Sequence, residues 1–446
     1  MRQVGNGRRS EARPVAPALR TARTAVLAAA LCAGLGLGAF GCSHPAADSG
    51  ASAHPVPSAA RSGGGGPGRA AATDSARASF AATPVTGPWR SWTRKLSGPE
   101  ASGTCDATTR QVVCGVGADG LTGRSRATGA VTWQIPSLAA GRNVGLVLAV
   151  PDGRAVAAGA DTLHAADLRT GSSAWSHRLT PGRAYAALAE GGGAVYALDT
   201  TTGPPGDTRT VTLDAYRTTD GTALWHKSVH ADATAPPRVI GGRVYTTDGS
   251  AVTARDARTG RVVATSPGGT DCPQLLSGAG YLVCTGSRFS ASDTFPPVVR
   301  LDPATLRPLR TLRDSGMKPV DGVFSDGVLV LYEEGAEDSS AGDWSAFDLG
   351  SGAVLWSYHT TTGQGALDGG RFTTFTPSYD TSGGRLISVD LRAGPKGTGA
   401  AAPRFSPAYP DTDFSRYPSV VVPGGGAGHL LVQSTRVGAL RSVPSP

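Results

Sequence analysis

The side chains best suited to chemistry in this 446-residue chain are its eight histidines, six cysteines and 34 acidic residues. Their spacing assembles no catalytic motif. The sequence contains no HExxH pair that would hold zinc beside a general base. It has no GxSxG to expose a nucleophilic serine and no phosphate-binding loop. The run Gly63-Gly64-Gly65-Gly66 precedes no strand–helix unit, so it does not form a phosphate cradle. His164, His177, His226, His230, His359 and His429 are scattered over different segments, and each is expected at a partly exposed strand position. Catalysis is therefore not expected, nor are a metal and a cofactor.

The cysteines carry a different chemistry. Cys105 and Cys114 lie in CDATTRQVVC, and Cys272 and Cys284 in CPQLLSGAGYLVC. Neither pair has the CxxC spacing of a zinc site. Four cysteines allow three pairings. The local one closes two short loops without a long-range coincidence, each worth about 2–3 kcal/mol by chain entropy. Disulfides imply an oxidising compartment. Residues 1–41 agree, since six arginines and one glutamate precede a weakly apolar run from Thr24 to Phe40, the pattern of an export signal. That run ends in Gly-Ala-Phe-Gly-Cys. It places Cys42 where a bacterial lipoprotein accepts its lipid, although Ala39 stands where leucine is usual.

Residues 42–87 are rich in Ala, Ser, Gly, Pro and Thr and are expected to form a disordered, lipid-anchored linker. About 40 such residues span on the order of 35 Å. The formal charge of the chain is +8, of which the leader supplies +5 (six arginines less one glutamate). The balance of +3 gives no reason to expect nucleic acid as a partner.

The elements that would have to position any site are written as a repeat. Asp167, Gly171 and Trp175 recur as Asp348, Gly352 and Trp356. Weaker copies keep Gly129 and Trp133, Gly221 and Trp225, Asp256 and Gly260, and Asp390 and Gly394. In RLDPATLRPLR, Asp302 is present but Leu306 stands in the place of glycine. A period of about 40–50 residues belongs to propellers and solenoid arrays. Each copy has the logic of a hairpin. Its aspartate can accept hydrogen bonds from turn amides, its glycine accepts a positive φ, and its tryptophan offers an apolar body to the next unit.

These repeats resemble the PQQ-like β-propeller proteins, which include secreted quinone dehydrogenases and the propeller factor of outer-membrane protein assembly. The resemblance covers about residues 88–446. Tryptophan-equivalent positions fall at Trp92, Trp133, Trp175, Trp225, Ala264, Arg310, Trp356 and Phe405. Trp92 has no preceding strands of its own, and HLLVQST and VGALRSV lack a following one. An all-β, eight-bladed propeller of four-stranded antiparallel blades follows, its last blade completed by the N-terminal strand. Seven blades is the alternative, because the units around Leu306 and Phe405 are faint. A quinone dehydrogenase of this family would use acidic, asparagine and tryptophan residues and adjacent cysteines. This chain has no Cys-Cys pair, and its only asparagines are Asn6 and Asn143.

Long connections between second and third strands are expected in the third, fifth, sixth and seventh units, crowding one face of the ring. In the sixth unit Glu333, Glu334, Glu337, Asp338 and Asp343 form either a solvated acidic loop or a calcium site. Three functions remain open: a non-catalytic membrane-anchored scaffold that binds a protein or envelope polymer through the long-loop face, a quinone-dependent dehydrogenase, and a small-ligand sensor. The first is favoured, as a monomer.

Overall fold

The structure is a computed structural model. It describes residues 89–446 except 97–104, 109–110, 116–119, 137–144, 150–151, 204–208, 286–294, 315–317, 335–341, 361–362, 377–384, 409–417, 422–427 and 435–438. Eight antiparallel sheets of four strands each are present. In chain order, blade 1 begins at strand Cys105–Ala107, blade 2 at Gly145–Ala149, blade 3 at Arg183–Gly191 and blade 4 at Arg238–Ile240. Blade 5 begins at Gln274–Gly278, blade 6 at Lys318–Ser325, blade 7 at Gly365–Asp368 and blade 8 at Pro418–Val421. The first strands of neighbouring blades touch one another, so they form the inner wall of the ring and the fourth strands its rim. Blade 8 receives its outermost strand from the other end of the chain. Trp92–Lys95 pairs with Ala439–Pro444 in the register Trp92↔Ser442 to Lys95↔Ala439. This stitch settles the count at eight blades rather than seven and leaves no open gap in the ring.

Each repeat places its residues in the same way. Asp167 Oδ1 accepts from the backbone N–H of Arg169 (3.1 Å) and Thr170 (2.9 Å) and from the Thr170 hydroxyl (2.9 Å). Asp256, Asp302, Asp348 and Asp390 repeat the pattern. Gly171 then turns the chain at φ +67°, a conformation that side chains disfavour. The indole of the preceding blade lies on that turn. A methyl group on Gly171 would sit 2.5 Å from the Trp133 ring. The Trp133 Nε1–H donates to the Leu168 carbonyl at 3.0 Å, three residues before the glycine.

The same bond recurs around the ring. Trp92 reaches Arg126, Trp175 reaches Thr218, Trp225 reaches Ala257 and Trp356 reaches Leu391, at 2.7–2.9 Å. Each bond satisfies the one polar atom of the indole while its rings are removed from water. Within the hairpin a small residue ten positions earlier makes room for the ring. Gly123, Ala165, Ala215 and Ala346 pair across from Trp133, Trp175, Trp225 and Trp356.

Phe405, expected at the tryptophan position of blade 7, is 54% exposed on a two-residue strand, and two further joints depart from the pattern in compensating ways. Between blades 4 and 5, Ala264 replaces the tryptophan and Leu306 replaces the glycine. Leu306 is wholly buried in the same cluster that Ala264 borders. It occupies the space an indole would fill, at the cost of a φ of +59°. Between blades 5 and 6, Arg310 lies over Gly352 and donates to the Ser351 carbonyl at 2.6 Å.

Both disulfides join near neighbours. Cys105 faces Cys114 across a strand pair with Cα atoms 4.0 Å apart, and Cys272 is bonded to Cys284 at 5.0 Å.

Candidate functional site

In a four-stranded antiparallel blade, the connection between strands 2 and 3 lies at the opposite end from the other two. The Asp–Gly turns therefore occupy one face of the ring and the expected long connections the other. The tips of those connections, 204–208, 286–294, 335–341 and 377–384, lie outside the described residues, as do Cys42, the leader 1–41 and the linker 42–87. The strand ends that carry the loops are described, and in blades 3 and 6 they share a construction.

In blade 3, Asp199 pairs in register with Thr212, and in blade 6 Glu333 pairs with Asp343. Thr212 and Asp343 each precede their turn glycine, Gly221 or Gly352, by nine residues, so the two acids occupy equivalent sites. Both are 1% exposed. An arginine answers each one: Arg183 from the inner strand of blade 3, and Arg313 from the outer strand of blade 5. Burial pushes the Asp199 carboxyl up in spite of Arg183. Burial likewise pushes Glu333 up to about 7, with Arg313 opposing the shift. Desolvation outweighs pairing in both cases.

Further charges surround each acid. Asp214 accepts from the Tyr216 hydroxyl at 3.2 Å and contacts His226, while the Tyr216 ring stacks on His177 of blade 2 at 4.2 Å. Lys318 meets Glu334 at 3.2 Å, and His359 meets Asp343 at 2.9 Å. Glu333, Glu334 and Asp343 are thus each answered by a nitrogen base rather than gathered around a cation, and Glu337 and Asp338 lie outside the described residues. Among the described residues no cluster of acidic, histidine or cysteine side chains could hold a metal ion. Trp344 stands on strand Gly342–Asp348 and packs against Phe372 at 4.6 Å.

The inner strands contribute Asp106, Arg238 and Asp321. Burial raises the carboxyls of Asp106 and Asp321 and lowers the Arg238 guanidinium, and Arg238 partly offsets the shift at Asp321. Asp321 is nevertheless open to solvent. A side chain that solvent reaches but protein crowds is what the wall of a narrow central channel provides. Arg238 donates through Nε to the Leu275 carbonyl at 2.7 Å, which binds blade 4 to blade 5.

The histidines do not converge. His164 departs from the sequence expectation, because it is 8% exposed and burial holds it down at about 4. The small residues opposite the indoles and the paired acids of blades 3 and 6 were missed in the sequence. A glycine or alanine ten residues before each tryptophan would have revealed the first. No local signal marks the second.

The resemblance to quinone enzymes can be tested on the tryptophans. All seven are committed to packing. Five make the joints between blades. Trp344 is wholly buried, and Trp89 is buried and stacked on His429 with centroids 6.3 Å apart. None is left to stack on a quinone, and both disulfides are spent within or beside blades. The described residues do not fit a bound quinone.

A closed ring of eight four-stranded blades with indole-on-glycine joints defines a PQQ-like β-propeller. The family model described as outer membrane protein assembly factor BamB matches residues 118–358, and the chain belongs to that family. Among solved structures it is similar to BamB from Moraxella catarrhalis, with 16% identity, a TM-score of 0.52, and coverage of 78% of this chain and 97% of that one. The computationally designed Ika8 protein is 14% identical at a TM-score of 0.55, covering 78% of this chain and 98% of Ika8. Quinohemoprotein alcohol dehydrogenase from Comamonas testosteroni is 12% identical at a TM-score of 0.51, covering 80% and 76%. At these identities the likeness is one of fold. No curated protein sequence matches the chain.

Proposed function

We propose that this protein is a non-catalytic binding propeller displayed outside the cytoplasmic membrane, with residues 1–41 as export signal, Cys42 as lipid-bearing anchor and 42–87 as tether. Its long-loop face engages a protein partner. The observation that carries this reading is the buried, arginine-paired acid beneath the loop of blade 3 and again beneath that of blade 6. Such pairs add little stability over an apolar core. They fix the strand ends from which the loops depart, and loops on a rigid scaffold are how folds present recognition surfaces. The family's described role in outer-membrane protein assembly is also one of contact between proteins.

The test is crosslinking of the protein in its native envelope, followed by identification of what is captured. Shortening the loops 201–208, 287–295 and 335–342 should abolish capture. Unchanged capture would remove the long-loop face from consideration. Cys42→Ala should release the protein from the membrane, and retention would contradict lipidation. Quinone with calcium should leave the Tm and dye-linked dehydrogenase activity unchanged.

A further inference from the structure

The rim of the ring, opposite the long-loop face, carries an unpartnered surface. Among the described residues the exposed large hydrophobic ones are Val131, Leu224, Val262, Val263, Leu309, Val354 and Phe405, and all lie on fourth strands. The first six stand two or three residues beyond the left-handed residue of their turn, so they crowd the edge where the rim meets the turn face. Three of them, Val262 (45% exposed), Val263 (38%) and Leu309 (51%), belong to blades 4 and 5.

Positive charge is concentrated in the same sector. The outer hairpins RDARTGRVVAT (255–265) and RLDPATLRPLRTLR (300–313) hold seven arginines and two aspartates, a balance of +5. The matching hairpin of blade 6, FDLGSGAVLWSYHT (347–360), carries −1. Asp256 accepts from the N–H and hydroxyl of Thr259, and Asp302 from those of Thr305, so each carboxylate hydrogen-bonds within its own turn, although the charges of Arg258 and Arg243 also act on Asp256 and Asp302. Arg300, Arg310 and Arg313 are engaged by Leu349, Ser351 and Glu333, and Arg255 by Gly260. Arg258, Arg261 and Arg307 are exposed and have no hydrogen-bond acceptor for their guanidinium groups among the described residues. The two turns are held side by side, since Arg243 and Tyr245 of blade 4 donate to the Pro303 carbonyl in the turn of blade 5 at 3.1 and 2.8 Å.

We propose that the turn-side rim of blades 4 and 5 is a contact surface for an anionic lipid bilayer. Arg258, Arg261 and Arg307 take lipid phosphates, and Val262, Val263 and Leu309 enter the boundary between headgroups and acyl chains. Guanidinium groups match phosphate oxygens in pairs, and basic residues beside exposed aliphatic ones are the composition of interfacial binding. A soluble polyanion would use the arginines but has no use for three exposed aliphatic side chains. The contact is independent of a lipid on Cys42. It would orient the propeller with its turn face toward the membrane and its long loops away.

The experiment uses a chain beginning at Ala72, which holds every strand of the ring and lacks both the leader and Cys42. It is sedimented with vesicles of phosphatidylcholine alone or mixed with phosphatidylglycerol. Binding is expected only to the mixed vesicles and should weaken as salt rises. The variant Arg258→Glu, Arg261→Glu, Arg307→Glu should bind at least about 100-fold more weakly, from about 1 kcal/mol per basic residue at the surface. The variant Val262→Ser, Val263→Ser, Leu309→Ser should also lose binding while its Tm stays that of the parent. Lys396→Glu with Arg404→Glu on blade 7 should bind as the parent does. Failure to distinguish the two vesicle types would overturn the proposal, as would full binding by either three-residue variant. Retention of vesicle binding by the serine variant, with heparin as an effective competitor, would reassign the surface to soluble polyanions.

Discussion

Two kinds of joint hold seven of the eight blade interfaces of the ring. At blades 8–1, 1–2, 2–3, 3–4 and 6–7, an indole lies on a turn glycine and donates to a carbonyl three residues before it. At blades 4–5 and 5–6 the indole is gone. A leucine fills the first gap from the other side, and arginines span the second by donating to Leu349 and Ser351 carbonyls and pairing with Glu333. What must be preserved at a joint is thus a filled volume and a satisfied carbonyl, not a particular residue. The indole does both with one uncharged side chain. The arginine joint does both with groups that respond to pH and salt, and its surplus arginines collect on the rim.

The largest expected effect breaks an indole joint. Trp133 is wholly buried, so Trp133→Ala should cost about 3–5 kcal/mol in denaturant unfolding. A loss below about 1 kcal/mol would mean that the inner strands alone hold blades 1 and 2 together. A second change converts one joint into the other. Ala264→Trp alone should overpack against Leu306 and cost about 1–3 kcal/mol. Adding Leu306→Gly should recover most of that loss, because it restores the glycine on which an indole can lie. Strictly additive costs in the double variant would show that the two positions do not share one space.

The smallest effect concerns the charged joint and its pH dependence. Glu333 in the folded protein sits at about 7, above its ordinary 4.5, because it is buried. The folded state therefore holds an extra proton between these values. The stabilisation this group supplies is complete below about 4.5 and is lost as pH rises through about 7. Glu333→Gln should flatten the dependence of Tm on pH in that window. His164 works in the opposite sense, since its depressed value of about 4 means stability present above 6.5 that is lost as pH falls through about 4. The Glu333 effect is therefore read from the difference between variant and parent. An unchanged profile would show that Arg313 keeps Glu333 ionised throughout.

The fold was legible because one phrase recurs and each of its residues has a local job. Asp167, Gly171 and their copies encode the turn within five residues, and the spacing to Trp175 places the indole on the outgoing strand. The unpaired WRSWTRKL at one end and the strand deficit at the other already imply the closing stitch. The rest depends on contacts that no local spacing records. His164 looked like any strand histidine and is instead buried on the third strand of blade 2. Glu333 looked like part of an acidic loop, yet it is buried against an arginine twenty residues earlier on a different blade. Leu306 looked like a faded repeat and is instead half of a volume exchange with Ala264.

From its residue order alone this chain determined an all-β ring of eight or seven blades, the chemistry of each turn and the local pairing of its cysteines. These follow from short-range hydrogen bonding and from a period that repeats the same hairpin. Only the tertiary structure decided which acids lie buried, which joints rely on arginine and where unanswered charge meets exposed aliphatic surface. Those properties arise between blades, where side chains far apart in the chain compete for the same volume and the same carbonyls.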